Sequence, residues 1–133
     1  MCMPISCVLI VEDNEPNLHL MEAVLKGMGY MILSATDGEE GVRLAREMRP
    51  NLILMDIQMP KMDGLAATRL IKSTPETCHI PVIAVTAHTM LSDRENALNA
   101  GCDDYIGKPV NARLFREKIR SLLCPIPSPA SGK

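Results

Sequence analysis

Four short apolar runs in this 133-residue chain each end in a residue with a functional head group. Val8-Leu9-Ile10-Val11 leads into Glu12-Asp13, and Leu52-Ile53-Leu54-Met55 leads into Asp56. Val82-Ile83-Ala84-Val85 ends in Thr86, and Tyr105-Ile106-Gly107 ends in Lys108-Pro109. Apolar runs this short, without polar alternation, read as parallel strands covered on both faces. In an open parallel sheet, chemistry gathers beyond the carboxyl ends of the strands. Brought together there, three carboxylates, a hydroxyl and an ammonium make a compact site for a divalent cation and a phosphoryl group.

The stretches between the runs carry helical periodicity, and the alternation repeats five times, the pattern of successive βα units. A first helix is expected from about Asn14 to Met28, with Leu18, Met21, Leu25 and Met28 on one face. Pro16 suits its first turn and Gly29 its end. Tyr30–Ala35 reads as the second strand, and Asp37 caps a helix that runs to about Met48 and is closed by Pro50. The third strand is Leu52–Asp56, followed by a helix over about Leu65–Ser73. Strand four is Ile80–Thr86, a helix begins after Ser92 and stops before Gly101, and strand five is Asp104–Lys108. The last helix covers about Asn111–Leu123, with Phe115, Ile119 and Leu122 inward. Right-handed crossovers then give a doubly wound sheet.

A single domain is expected over residues 1–123, large enough to bury an independent core. Residues 124–133, CPIPSPASGK, cannot continue a helix and read as a Pro/Ser-rich tail. With that tail and its early start, the chain reads as a free-standing protein rather than a piece of a longer one. A net charge of −2 offers no footprint for nucleic acid or an anionic membrane. Three aromatics (Tyr30, Tyr105, Phe115) are too few for a base-stacking platform. Ten methionines read as adaptable core packing. The five cysteines are scattered with no CxxC pair, which suits reduced thiols in a reducing compartment. Cys78-His79 lacks further ligands nearby. MCMPIS has no basic leader pattern, and its apolar run stops at Glu12, so a location in the cytoplasm is expected.

The segments VLIVEDNEPN (8–17), LILMDIQMPKMDG (52–64), IPVIAVTAH (80–88) and GCDDYIGKPV (101–110) stand in the order and spacing of a known family. Over roughly residues 6–123 the chain resembles the receiver (phosphoacceptor) domain of two-component response regulators. It is most similar to single-domain cell-division regulators and to receivers attached to hybrid histidine kinases. The resemblance implies a flavodoxin-like five-stranded parallel sheet of order 2-1-3-4-5, which sets Asp13 and Asp56 side by side.

It also implies the site. Asp56 is the phosphoacceptor. Mg2+, with Mn2+ able to substitute, is held by Asp13, Asp56 and the backbone carbonyl of Gln58, with Glu12 acting through a water. Clustered carboxylates call for such a cation on physical grounds as well. Lys108 and Thr86 neutralise and bind the phosphoryl oxygens, helped by backbone N–H groups near 57–58 and 87. Tyr105 follows Thr86 as a rotameric switch, and a cis Lys108–Pro109 bond aims the lysine inward. Partners are a histidine kinase or histidine phosphotransfer protein and an output protein met by the helix at 93–100, strand five and the last helix. No direct nucleic-acid or membrane contact is implied. Gln58 and His88, bulky and near the line of water attack, are expected to shield the phosphorylated state and lengthen its life.

Each residue has a plainer reading by itself. Glu12-Asp13 equally suits a solvated helix cap, Lys108 a strand-end lysine reaching for water, and Tyr105 a ring half-buried on an edge strand. His19 and His79 read as surface or packing residues. Among other functions, a haloacid dehalogenase-like aspartyl phosphatase would need a second carboxylate two residues after the nucleophile, where Gln58 stands. A flavodoxin-like redox carrier would need a phosphate loop after strand one, where Glu12-Asp13 would repel FMN. A signalling module that catalyses only its own phosphorylation and dephosphorylation is therefore the leading expectation.

Overall fold

The structure is a computed structural model that describes residues 7–56, 64–86, 95, 98–107 and 111–123. Its strands are β1 (Cys7–Val11), β2 (Met31–Ala35), β3 (Leu52–Asp56), β4 (Val82–Thr86) and β5 (Asp104–Gly107). The helices are α1 (Glu15–Gly27), α2 (Gly38–Met48), α3 (Gly64–Ser73) and α4 (Ala112–Leu123). All strand pairs are parallel, in the order β2-β1-β3-β4-β5. This is the expected doubly wound arrangement. Of the helix expected after Ser92 and before Gly101, residues 95 and 98–100 are described; 95, 98 and 99 are helical and Ala100 lies in a turn.

The apolar runs form strands because they can be buried on both sides. Residues 8–11, 52–55 and 82–85 are 0% exposed. Alternate side chains divide between two clusters. Leu9, Val11, Ile53, Met55, Val82 and Ala84 face the side covered by Ala45 of α2 and Ala67 and Ile71 of α3. Val8, Ile10, Leu52, Leu54, Ile83 and Val85 face Leu18, Met21 and Leu25 of α1 and Phe115 and Ile119 of α4.

Local signals set the helix ends. Asn14 caps α1 by accepting the Asn17 N–H at 3.1 Å. At its other end Gly29 takes φ +89°, and the Tyr30 and Gly29 amides donate to the Leu25 and Lys26 carbonyls at 3.1 and 3.0 Å. That pair of bonds is a Schellman closure, which needs a left-handed residue where glycine stands. Asp37 and Glu40 form a reciprocal box at the start of α2: Asp37 accepts the Glu40 N–H at 2.9 Å, and Glu40 accepts the Thr36 N–H at 3.0 Å. Asn111 accepts the Leu114 N–H at 3.1 Å and so precedes α4 as a cap.

Several boundaries depart from expectation for physical reasons. Strand four starts at Val82 rather than Ile80, because the Ile80 amide is spent on a turn, donating to the Thr77 carbonyl at 3.0 Å. Tyr30 belongs to the closure of α1, so β2 starts at Met31. Val24 joins the buried face of α1, whereas Met28, expected there, is only partly buried at its C-cap. Gly64 opens α3, one residue before Leu65. The fifth strand is described only as far as Gly107, and unlike the other three runs it is half-buried throughout, as an edge strand is. The side chain of Leu122 and the tail at 124–133 lie outside the described residues.

Candidate functional site

The site is built by register. Val11 of β1 pairs with Met55 of β3, so Glu12 and Asp56, each one step further along, end adjacent strands at the same level. Asp56 is in turn level with Val85 of β4, and Thr86, one step on, is level with Gly107 of β5. The strand ends thus set the carboxylates and the Thr86 hydroxyl in a row across the centre of the sheet.

Burial separates the roles these groups can take. Glu12, Asp56 and Thr86 are 0, 2 and 1% exposed, whereas Asp13 is exposed. Glu12 is anchored by its own backbone, its N–H donating to the Ala35 carbonyl at 2.9 Å. Its Oε2 accepts the Asn14 N–H at 3.3 Å, which turns that oxygen back toward the start of α1. The positive end of the α1 dipole lies at the same turn and favours negative charge there.

A ligand oxygen from each of Glu12, Asp13 and Asp56 lies within 4.8 Å of the others. Among the described residues no other group of three or more His, Cys, Asp or Glu is so placed. As anions at that separation, the buried Glu12 and Asp56 would repel by roughly 3–4 kcal/mol at an effective dielectric constant near 20. An all-oxygen donor set suits a hard cation. Oxygens on opposite sides of an octahedral Mg2+ stand about 4.2 Å apart, so this cluster fits that ion with a sub-ångström closure or one intervening water. The three residues are thus matched to Mg2+ in chemistry and in scale.

Tyr105 lies on β5, its ring partly buried against the cluster on the α2–α3 side. Gln58, His88, Lys108 and Pro109, and with them the expected Gln58 carbonyl ligand, the shielding role and the cis bond, lie outside the described residues. His19 and His79 are exposed, in keeping with surface roles. Two features were not anticipated from the sequence: the bond from Asn14 back to Glu12, and the ion pairs described below that flank β5. The first had a visible signal, since a cap residue directly after an acidic pair brings its N–H within reach.

The sequence profile of the response regulator receiver domain matches residues 8–120. The chain belongs to this family. Polar-differentiation response regulator DivK of Brucella anthropi is 48% identical to this receiver over 116 residues, which span 87% of this chain and 94% of DivK. Among solved structures, the receiver domain of the sensor histidine kinase PA1611 from Pseudomonas aeruginosa superposes with a TM-score of 0.84 at 37% identity. The match covers 90% of this chain and 98% of that one, and that structure has a magnesium ion coordinated in its active-site cleft. The co-crystal structure of the Saccharomyces cerevisiae phosphotransfer protein Ypd1 with the receiver domain of Ssk1 gives a TM-score of 0.83 at 30% identity. There, 93% of this chain and 92% of the matched chain are covered. Single-domain regulators and kinase-attached receivers are therefore both among the relatives, as the sequence resemblance implies.

Among the described residues, no thiol belongs to the acidic cluster. Cys7, Cys78 and Cys102 are free. Burial pushes the Cys102 thiol up, outweighing its contact with the Thr68 hydroxyl at 3.8 Å, and burial also raises Cys7. Only a thiolate reacts readily, so a buried thiol with a raised pKa is slow to alkylate. At pH 8 a maleimide is expected to modify the exposed Cys78 well before Cys102, as peptide mapping of a time course reads. Equal rates would show that the α3–β5 region opens faster than the reagent reacts.

Proposed function

We propose that this receiver is a phosphoacceptor switch that takes a phosphoryl group from a phosphohistidine onto Asp56. The observation that carries the reading is the Glu12, Asp13 and Asp56 cluster at the ends of two adjacent central strands, with Thr86 ending the next strand. Asp13, Asp56 and the Gln58 carbonyl would hold Mg2+ directly, Glu12 would act through a water, and Mn2+ would substitute. When bound, the cation neutralises charge on the phosphoryl oxygens. The PA1611 receiver, with magnesium in its cleft, supports this assignment.

In the transfer, a carboxylate oxygen of Asp56 attacks phosphorus as the P–N bond to the donor imidazole breaks. The products are a mixed anhydride on Asp56 and a free histidine. The transition state is loose, so the protein contributes position and charge. Thr86 donates its hydroxyl to a phosphoryl oxygen, and Lys108 supplies a compact positive charge. The donor is a histidine kinase or a histidine phosphotransfer protein, as the Ypd1–Ssk1 complex supports by analogy. Receiver domains are signalling modules, and this one catalyses only the turnover of its own aspartate.

Output passes to a partner protein through the 93–100 stretch, β5 and α4, because movement of Thr86 toward the phosphoryl group biases the packing around Tyr105. Gln58 and His88 shield the anhydride from water, so trimming either to alanine is expected to speed decay in a dephosphorylation time course. The receiver unit ends with α4 at Leu123, and the Pro/Ser-rich residues 124–133 are assigned outside it. No helix among the described residues is long and apolar enough to cross a membrane; the scattered cysteines, with no CxxC pair, support a place of action in the reducing cytoplasm. Loading with a small-molecule phosphodonor and Mg2+ tests the switch. Amide chemical-shift changes are expected to concentrate at residues 86–118. Changes confined to α1 and α2 would overturn the output assignment.

A further inference from the structure

β5 is the weakest-packed of the four site-bearing strands, with four residues, all half-buried. Two consecutive aspartates at its entry are gripped by lysines from opposite faces of the sheet. On the α3 side, the Lys72 ammonium meets Asp103 Oδ2 at 2.9 Å and donates to the Ile80 carbonyl at 2.8 Å. The same Asp103 oxygen accepts the Val82 N–H at 2.8 Å, while the Asp103 N–H donates to the Val82 carbonyl at 2.7 Å. Asp103 thereby closes onto the first residue of β4 through both backbone and side chain. The stem of Lys72 crosses Gly101, whose φ is +110° and where an added Cβ would lie 2.8 Å from Lys72 Cγ. A glycine there leaves the lysine room to reach its carboxylate.

On the other face, Lys118 of α4 meets Asp104 Oδ2 at 2.9 Å, and Asp104 Oδ1 accepts the Tyr105 N–H at 2.8 Å. One carboxylate therefore links α4 to the backbone of Tyr105. Both lysines are partly buried, at 20 and 33% side-chain exposure, while their carboxylates, at 45 and 39%, stay open to solvent, so the pairs act through the geometry they fix more than through charge alone.

We infer that Lys72 and Lys118 are positioning residues for phosphoryl transfer: together they clamp the base of β5 from both faces and hold its far end level with Thr86. The inference rests on the receiver reading above. β5 ends at Gly107, paired with Thr86 and one residue before Lys108 in the chain. A strand fixed at its entry keeps its register to β4, and so keeps Gly107 level with Thr86. The acidic cluster stands on β1 and β3 and does not depend on this clamp.

The test compares the full chain with Lys72→Met, Lys118→Met and the corresponding arginine variants, using acetyl phosphate as donor with Mg2+. Each methionine variant is expected to speed amide exchange at residues 104–107 severalfold, by removing the lysine that holds an aspartate at the strand's entry, with β1 and β3 as protected as before. The initial phosphorylation rate should fall severalfold, Mg2+ affinity should stay unchanged, and arginine should restore both exchange and rate. Unchanged exchange at 104–107 would overturn the clamp. So would an equal rise throughout the sheet, or Mg2+ affinity falling in step with the rate. If a methionine variant does not fold, Asp103→Asn for Lys72 or Asp104→Asn for Lys118, each keeping the size of the side chain, is read the same way. A wild-type chain that takes up no phosphate would refute the phosphoacceptor reading instead, and the exchange data would still judge the clamp.

Discussion

Replacing Asp56 with asparagine is expected to reduce phosphoryl uptake to background. The substitution is nearly isosteric, and at a position 2% exposed it leaves the packing of β3 in place. The nucleophile is lost, because a carboxamide oxygen does not attack phosphorus as a carboxylate does. Glu12 and Asp13 cannot take over. Glu12 is fully buried with one oxygen turned back to the Asn14 amide, and Asp13 lies beyond the end of β1 in the turn before α1. Intact-mass analysis after incubation with a phosphodonor and Mg2+ should show one base-labile addition in the wild-type chain and none in the variant. Stoichiometric phosphate on Asp56→Asn would move the acceptor elsewhere. Folding of the variant is checked independently by its thermal transition.

Chelating the divalent cation should abolish the same transfer, and the two acidic neighbours should differ in how strongly they matter. In the proposed assignment the exposed Asp13 ligates the ion directly, whereas Glu12 already commits one oxygen to a backbone amide. Losing a residue that acts through water costs about 10–100-fold in metal affinity, and losing a direct ligand costs more. Asp13→Asn should therefore weaken Mg2+ binding further than Glu12→Gln, as titration of the apo protein by calorimetry or by shift perturbation reads. Equal losses would contradict the division between the two carboxylates.

The central strands were legible because nothing in them alternates. A run such as Leu52–Met55, apolar at every position, is comfortable only between two layers, and β3 occupies the expected bounds. The carboxylates were legible for a related reason, since a charge directly after a doubly buried run must sit at the strand end. Legibility failed where an apolar residue does something other than extend a strand. Ile80 has the side chain of a strand residue but gives its amide to a turn, and Tyr30 gives its amide to the end of a helix. The grip on β5 could not be read in advance. Lys72 and Asp103 are 31 residues apart on different elements, Lys118 and Asp104 are 14 apart, and no periodicity links them.

The sheet divides the interior into two clusters with no residue in common, one under α2 and α3, the other under α1 and α4. Such a partition leaves the strands themselves, β5 above all, as the route by which one side can affect the other. A volume change at Ile71 is felt by its own cluster, one at Phe115 by the opposite cluster, and distant sites without shared partners add rather than compound. The outward face of α1 or α4 can thus be remodelled for a new docking protein, along with the packing beneath it, and the layer across the sheet is reached through the strands. The strand ends that carry Asp56 and Thr86 belong to the sheet between the two clusters rather than to either one.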